Sequence, residues 1–221
     1  MKKVGLLKKK FLSMERLIAI VEDMHSKSSH WNKYLRKEWK DFDADISKNL
    51  QDLYNDLKYG TYKHGDYYVF KKMDSGKIRV IHSATPRDRI VDQLLADILE
   101  FVFMPKLQRG HVYGSIKGLG QHKCRLRAIN KIRRQKDDVF VGSANIRQYY
   151  PTCNPDTIIR ILCKYIKDKW VISLSKEFLS LGYVVLGNIS SNILGHINLL
   201  DIDYSIVRLS LIHISEPTRP Y

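Results

Sequence analysis

Two cationic side chains, Lys77 and Arg79, lie two residues apart in a segment with the alternating pattern of a β-strand. Residues at this spacing project from the same face of a strand, so both can contact one ligand. Two neighbouring cations suit a triphosphate, because each can donate charge-assisted hydrogen bonds to its oxygens. Taken alone, however, a Lys-x-Arg pair on an exposed strand is more often a solvated face than a binding site.

The charge of the whole chain favours the same class of ligand. Lys and Arg number 38 against 23 acidic residues, which gives a formal net charge of +15. A protein this basic usually binds a polyanion, and nucleic acid is the leading candidate. A generally basic surface without a dedicated ligand is the alternative that composition leaves open. The length of 221 residues allows one domain, or one and a half, with a real core.

Cysteine usage and hydropathy predict a soluble, cytoplasmic protein without a membrane partner. Cys124, Cys153 and Cys163 form no CxxC pair and have no histidine at metal-ligand spacing, so we interpret them as reduced, structural thiols. The N-terminus begins with charged residues, but its apolar run is too short for a signal peptide. No stretch approaches the length of a membrane span.

Periodicity and turn signals predict the elements that must position these groups. An amphipathic helix from Phe42 should end near Tyr59–Gly60. Strands over Tyr67–Lys72 and Lys77–His82 should form a hairpin through the turn at 74–76. Further elements follow in chain order: a helix after Pro86, an ordered loop over Gly110–Gly120, a strand over Asp137–Ile146, a helix capped by Asn154-Pro155, a short strand-like pair, and a last helix over about Ser190–Leu200. The order is typical of an α+β protein.

Four segments, in this order, resemble the conserved blocks of bacterial or phage reverse transcriptases. GKIRVIHSATPRDRIVDQLLADIL (76–99) is similar to K-x-R-x-I followed by P-x-x-D-R-I/V-V and an apolar helix. GHVYGSIKGLGQHKC (110–124) is similar to the next block, in which a Y-G-containing phrase precedes a basic turn and a helix. VFVGSANIRQYYPTCNPDTIIRIL (139–162) resembles the first palm block, and GYVVLGNISSNILGHINLLDIDY (182–204) resembles the block written P-I/L-G-N-x-x-S-Q.

The resemblance implies an α+β, right-hand polymerase, present as fingers plus a partial palm with a small antiparallel sheet backed by helices. It divides the chain into an N-terminal helical extension (1–60), fingers (61–136) and partial palm (137–208). Diversity-generating retroelements and group II introns are the lineages that the blocks favour, by analogy only.

The resemblance also assigns roles to individual residues. Lys77 and Arg79 would bind the triphosphate of the incoming nucleotide. Tyr150 would be the steric gate under the sugar, although Tyr149 and Tyr150 can equally be core aromatics. A last set would line the nucleotide pocket and the templating strand, or form an ordinary turn: Gly187, Asn188 and Ser191, followed by Asn192 where the family usually has Gln.

One departure from the family concerns its metal site. Nucleotide addition in the family uses Mg²⁺, which prefers carboxylate oxygens. The first palm carboxylate of the family corresponds to Asn145 here, and an amide carbonyl can contact a metal but brings no charge. We therefore expect a severe loss of metal affinity and rate at this position, with the remaining metal ligands missing.

A second departure concerns the last residues. The Y/F-x-D-D hairpin of the family is expected soon after Asp203, and it is absent. Residues 209–219 instead resemble the translation of a common transposase-based sequencing adapter. We interpret 209–221 as an artefact tail without packed tertiary contacts, and we expect the natural protein to continue past Arg208.

The sequence thus predicts a fragment of an RNA-directed DNA polymerase whose full-length form would use an RNA template, a DNA or RNA primer, dNTPs and Mg²⁺. The fragment itself should be inactive. The alternative is a degenerate polymerase domain that binds RNA through its basic surface without catalysis, with strongly salt-dependent affinity. An accessory protein is not identifiable from the sequence.

Overall fold

The computed structural model describes residues 3–31, 33–74, 76–114, 116, 118–136, 138–142 and 144–215, with side chains throughout except at 30, 74 and 209–215. Over these residues the protein is mostly helical and has a small two-stranded antiparallel sheet. The α+β class predicted from the sequence is therefore confirmed.

The elements follow one another as four N-terminal helices, a hairpin and six further helices within the described ranges. Their bounds are α1 Leu7–Phe11, α2 Met14–Ser26, α3 Lys33–Asp43, α4 Ile46–Tyr59, β1 Tyr68–Asp74, β2 Lys77–Ser83, α5 Pro86–Arg109, α6 Gln121–Arg133, α7 Tyr149–Thr152, α8 Pro155–Tyr165, α9 Lys169–Phe178 and α10 Ser190–Ser215. The predicted helix from Phe42 is divided at 44–45 into α3 and α4, and its end at Tyr59–Gly60 is confirmed.

Helix α5 lies at the centre of the fold, since 13 of its 24 residues are buried and most of these are apolar. Its start is fixed locally. The Thr85 side chain accepts a hydrogen bond from the backbone N–H of Asp88, and Pro86 takes the first helical position, where no donor is needed. Helices α2, α3, α9 and α10 pack against it. The helix predicted after Pro86 is confirmed.

One hydrophobic cluster joins the N-terminal helices to α5 and to the last three helices. Leu17, Leu53, Leu94, Ile161 and Ile197 represent these parts of the chain, and all are fully buried. Each such side chain contributes roughly 1.5–3 kcal/mol through burial. The division into 1–60, 61–136 and 137–208 stays a prediction.

The hairpin is confirmed close to its predicted bounds. Strands β1 and β2 pair antiparallel from Tyr68 opposite Ser83 to Asp74 opposite Lys77. Gly76 in the turn has a φ of 76°, a conformation that glycine adopts at no steric cost.

The strand predicted over Asp137–Ile146 is not formed: residues 138–142 and 144–146 belong to no strand. A strand needs a neighbour to satisfy its backbone donors and acceptors, and the one sheet of the described residues is the β1–β2 hairpin. The apolar residues of this segment are consequently in solvent, with Phe140 97% and Val141 76% exposed.

The predicted short strand-like pair is also wrong. The described structure has helix α9 between α8 and the last helix, and an isolated bridge between Leu186 and Asn188. Val171, Leu174 and Phe178 recur at helical spacing in α9 and are buried, so core contact favours a helix in this segment.

The last helix begins at Ser190 as predicted but extends to Ser215 rather than ending near Leu200. The prediction that 209–221 lacks packed contacts concerns side chains outside the described residues. In the described part of the chain, no helix has both the length and the apolar character needed to span a membrane.

Candidate nucleotide-binding cleft

A cleft of about 500 Å³ lies between strand β2, the short helix α7 and residues 183–186. This volume is within the range of small-molecule sites, and aromatic and aliphatic side chains with a few polar groups form the walls, as is common in such sites. The residues with polar functional groups that line it are Arg79, His82, Gln148, Tyr149, Tyr150 and Tyr183.

Strand β2 contributes the predicted cations. Directly paired residues of an antiparallel sheet share a face. Lys72 pairs with Arg79, so the hairpin adds a third cation to the face that carries Lys77 and Arg79. Arg79 lines the cleft, whereas Lys77 is the first residue after the turn and does not belong to the described lining.

The two tyrosines of α7 are held on α10. The Tyr150 hydroxyl donates to Oδ1 of Asn192 at 2.7 Å, and the Tyr149 hydroxyl donates to the backbone oxygen of Gly195 at 2.6 Å. A Cβ on Gly195 would lie 3.3 Å from both rings. Burial raises the pKa of both hydroxyls, which keeps them protonated as donors. The predicted steric-gate residue therefore has a fixed ring beside the cleft.

Gly187 lies against strand β2 at a distance that excludes any side chain. A Cβ at this position would be 2.1 Å from the backbone oxygen of His82, and the φ of Gly187 is 130°. The backbone N–H of His82 donates to the backbone oxygen of Leu186 at 2.8 Å. Glycine is therefore required for the close approach of this turn to the hairpin.

The buried side chains of Asn188 and Ser191 stabilise this turn through hydrogen bonds. The Asn188 side-chain amide donates to the Tyr67 hydroxyl at 2.7 Å, and the Ser191 hydroxyl donates to the backbone oxygen of Val185 at 2.6 Å. Both residues are buried, and neither belongs to the described lining of the cleft. In this structure they position the cleft wall, and contact with a nucleotide stays a prediction.

Two buried carboxylates of α5 have no assigned role in the sequence analysis, although both accept hydrogen bonds that join α5 to distant parts of the chain. Asp92 accepts hydrogen bonds from the backbone N–H groups of Ile189 and Ser190 and from the Ser190 hydroxyl. Asp88 accepts from the hydroxyls of Tyr62 and Thr85, each at 2.7 Å. The available signal was a pair of aspartates four residues apart, Asp88 and Asp92, within a helix rich in apolar residues.

Burial raises the pKa of the Asp92 carboxyl, and the hydrogen bonds from Ser190 and Ile189 oppose that rise. The three donors face the N-terminus of α10, where a carboxylate is also favoured by the helix dipole. Asp92 thus fixes the start of α10, the helix that carries Asn192 and Gly195.

His82 is a further cleft residue that sequence reasoning missed. Its Nε2 lies 3.3 Å from the Tyr183 hydroxyl, and its Nδ1 is buried without a hydrogen-bond partner among the described residues. Burial lowers the pKa of His82, which favours the neutral ring. A lone histidine in a strand carries no recognisable spacing, so no sequence signal could have found it.

Asn145 is exposed and lies in no helix or strand. Among the described residues no group of three or more His, Cys, Asp or Glu side chains could hold a metal ion. The donors present therefore do not fit the two-Mg²⁺ site of the family. The structure does not bring Asn145 into the described lining of the cleft with Arg79 and Tyr150.

Comparison with known proteins shows a distant relationship to an intron-encoded protein. No protein-family model matches the sequence. The COX1/OXI3 intron 1 protein of Saccharomyces cerevisiae is 30% identical over 147 residues, which cover 61% of this chain. The match spans only 16% of the length of the yeast protein. The chain is thus distantly and partially similar to an intron-encoded protein.

Proposed function

We propose that this chain comprises the fingers and part of the palm of a prokaryotic reverse transcriptase. The full-length protein would synthesise DNA on an RNA template by two-metal nucleotidyl transfer. One observation carries the proposal: Arg79 from the hairpin motif and Tyr150 from the first palm motif line the same cleft.

In the proposed function, the cationic face of the hairpin binds the nucleotide triphosphate. Lys72, Lys77 and Arg79 share this face, and a guanidinium can donate two parallel hydrogen bonds to phosphate oxygens. Arg79 would contact the phosphate nearest the cleft, and the two lysines would attract the remaining charge.

The Tyr150 ring would lie under the sugar of the bound nucleotide. Its hydroxyl is held by Asn192, so the ring cannot move aside for a 2′-hydroxyl without losing that hydrogen bond. Leu186, whose backbone oxygen accepts a hydrogen bond from His82, would form the opposite wall, and Gly187 permits this close approach.

The chain with Asn145 is proposed to be inactive in catalysis. Mg²⁺ would supply charge neutralisation and activation of the primer hydroxyl in an intact relative. The described residues include no group of three or more His, Cys, Asp or Glu side chains that could hold it.

The similarity to the yeast intron 1 protein supports an intron-encoded origin over that of a diversity-generating retroelement. The RNA template, the primer and dNTPs are the partners that this proposal implies.

A non-catalytic RNA-binding domain is the second candidate, and helix α6 favours it. None of the residues of α6 is buried, and Lys123, Arg125, Arg127, Lys131 and Arg133 all lie on it. Arg127 donates to the hydroxyl of Tyr113 at 2.9 Å, which fixes the helix to the preceding loop. Such a helix can bind RNA phosphates whether or not the domain catalyses a reaction.

Sequencing the source gene discriminates between the two candidates. The library should avoid the transposase adapter, and the reads should pass through codon 145 and beyond codon 208. Aspartate at 145 with a downstream Y/F-x-D-D supports the polymerase. Asparagine at 145 with no acidic hairpin in an intact gene supports the RNA-binding domain and overturns the catalytic proposal.

If the gene encodes the acidic hairpin, primer extension on an RNA template tests the cleft. Arg79→Gln should raise the KM for dNTP by roughly tenfold, because it removes one charged phosphate contact. Lys37→Gln, an exposed change on α3, is the matched control and should leave KM unchanged. Equal KM values for the Arg79 variant and the control would contradict the assignment of the cleft.

A further inference from the structure

A second concave surface lies on other elements than the cleft. One depression, of about 890 Å³, is formed by α1, α4 and the link between α8 and α9, and five lysines line it: Lys8, Lys9, Lys58, Lys167 and Lys169. A second depression, of about 400 Å³, shares Lys167 and Lys169 and adds Lys3 and Lys176. The two together form one surface, here termed the lysine groove.

Asp168 is the one acidic residue in the described lining of the lysine groove. Its carboxylate accepts hydrogen bonds from the backbone N–H of Lys8 at 2.9 Å and from that of Trp170 at 3.2 Å. It thereby caps the N-terminus of α9, where the helix dipole offsets part of its charge. The groove consequently keeps a large excess of positive charge.

The lysine side chains of the groove are available to a ligand. None of the seven forms an ion pair with any acidic residue that the structure describes. Lys8 is the most constrained, since its Nζ donates to the backbone oxygen of Lys58 at 2.6 Å. Lys9, Lys58, Lys167 and Lys169 are exposed.

Backbone contacts fix the walls of the groove relative to one another. The backbone N–H of Val4 donates to the backbone oxygen of Tyr165 at 2.8 Å. The backbone N–H of Lys167 donates to the backbone oxygen of Val4 at 2.7 Å. The Trp170 indole N–H donates to the backbone oxygen of Leu57 at 2.8 Å. The N-terminus, α4 and α9 therefore present their lysines on a preformed surface rather than on independent segments.

We propose that the lysine groove binds the phosphate backbone of a nucleic-acid strand, independently of base sequence. Seven cations along two connected depressions match a repeating polyanion better than a single phosphate. Lysine ammonium groups contact phosphates rather than base edges, which predicts binding without sequence preference. The concave shape suits a phosphate ridge and not a flat bilayer. The groove shares no residue with the described lining of the cleft, so this inference does not depend on catalysis.

Fluorescence anisotropy of the full chain with a labelled oligouridine, measured over a range of salt concentrations, tests this inference. The groove variant combines Lys9→Gln, Lys58→Gln, Lys167→Gln and Lys169→Gln. The control variant combines Lys33→Gln, Lys37→Gln, Lys40→Gln and Lys48→Gln on α3 and α4, which are equally exposed. Both remove the same charge, and circular dichroism verifies that both fold.

The groove variant should bind the oligouridine at least about tenfold more weakly at moderate salt, and the slope of log affinity against log salt should become less steep by about 2 to 3. The control variant should stay close to the parent in both quantities. Equal losses in the two variants would overturn the inference, because binding would then follow net charge alone.

A second experiment measures binding of the same variants to phosphatidylserine vesicles by sedimentation. A groove variant that loses vesicle binding while it keeps oligouridine affinity would overturn the inference in favour of a lipid surface. A cleft variant, Arg79→Gln, separates the two proposals: it should leave oligouridine affinity near that of the control, whatever its effect on dNTP.

Discussion

At the scale of single residues, the cleft depends on a few atoms that tolerate no displacement. Gly187 packs so closely against His82 that any Cβ would overlap the His82 backbone. Tyr150 is held in place by one hydrogen bond to Asn192. Both contacts join parts of the chain that are distant in sequence. A local substitution at either end should therefore disturb the wall of the cleft as a whole.

Gly187→Ala should destabilise the protein by more than about 2 kcal/mol, because the new Cβ would lie 2.1 Å from a backbone oxygen and the φ is positive. Urea denaturation measures the change. Gly182→Ala is the matched control, since Gly182 has a φ of 82° with nothing within 4 Å of its Cβ position. Similar losses for both variants would attribute the effect to backbone conformation and contradict the close-approach argument.

At the scale of elements, helices α5 and α10 determine where the cleft lies. Asp92 of α5 binds the first residues of α10, and α10 in turn holds both tyrosines of α7. The segment 183–188 is fixed between these helices and the hairpin. The cleft is thus a property of the α5–α10 pair more than of the hairpin alone.

Asp92→Ala should lower the free energy of unfolding by roughly 2–4 kcal/mol, because it leaves buried donors of Ile189 and Ser190 unsatisfied. Asp97→Ala on the same helix removes a partly exposed ion pair with Arg16 and should cost about 1 kcal/mol or less. Chemical denaturation compares the two. A smaller loss for the Asp92 variant than for the Asp97 variant would show that Asp92 does not anchor α10.

Asp203 on α10 should make stability depend on pH. Burial raises the pKa of its carboxyl to about 6. Between the ordinary carboxyl pKa and about 6, the folded state holds a proton that the unfolded state has released, so the free energy of unfolding falls as pH rises through this window and is level above it. Asp203→Asn should remove this fall and stabilise the protein at neutral pH by on the order of 1 kcal/mol, given its remaining solvent contact.

Denaturation midpoints of the parent and the Asp203 variant across this pH range supply the measurement. Asp201→Asn, which removes ion pairs with Arg160 and Lys164, is the control and should retain the pH-dependent fall. A parent profile that matches the Asp203 variant at every pH would refute the assignment.

The elements that the sequence predicted correctly carry their signals locally. The turn residues mark the hairpin. The N-cap and first-position pairs Thr85-Pro86 and Asn154-Pro155 mark the starts of α5 and α8, and the Asn154 side chain accepts hydrogen bonds from two backbone N–H groups. The strand predicted at 137–146 would need a neighbouring strand to pair with, and a local sequence pattern does not show whether one is present. Helix α9 was missed because the adjacent β-branched residues Val171 and Ile172 favour a strand locally, whereas contact with the core favours the helix.

The candidate site was predictable in part, and mainly through the family resemblance. That resemblance pointed to Arg79 and Tyr150, which line one cleft. Asp92 was not predictable as an anchor, because its partner Ser190 lies 98 residues away along the chain. The functional roles of all the predicted site residues stay predictions: Lys77, Arg79, Asn145, Tyr150, Gly187, Asn188 and Ser191.

At the scale of the whole molecule, one buried cluster extends from α1 to α10, while residues 138–142 lie apart from it. Substitutions in the shared core should therefore change global stability. Substitutions in the exposed apolar segment should change solubility. The excess of basic residues keeps the molecule charged in both cases.

Phe140→Ser should leave the free energy of unfolding within about 0.5 kcal/mol of the parent, because the ring is 97% exposed. Phe103→Ala, at a fully buried ring, should cost roughly 3–5 kcal/mol. Guanidinium denaturation measures both, and light scattering should show less self-association for the Phe140 variant. A loss at Phe140 as large as that at Phe103 would mean that the segment packs into the core in solution.

The pairing of α5 with α10 also has a consequence for biosynthesis. Leu94, Ile98 and their neighbours leave the ribosome long before the residues of α10 that cover them, and the hydrogen-bond partners of Asp92 emerge late as well. Contacts of such long sequence separation form slowly. The nascent chain should therefore display an apolar helix during much of its translation, which makes it a substrate for ribosome-associated chaperones until α10 docks.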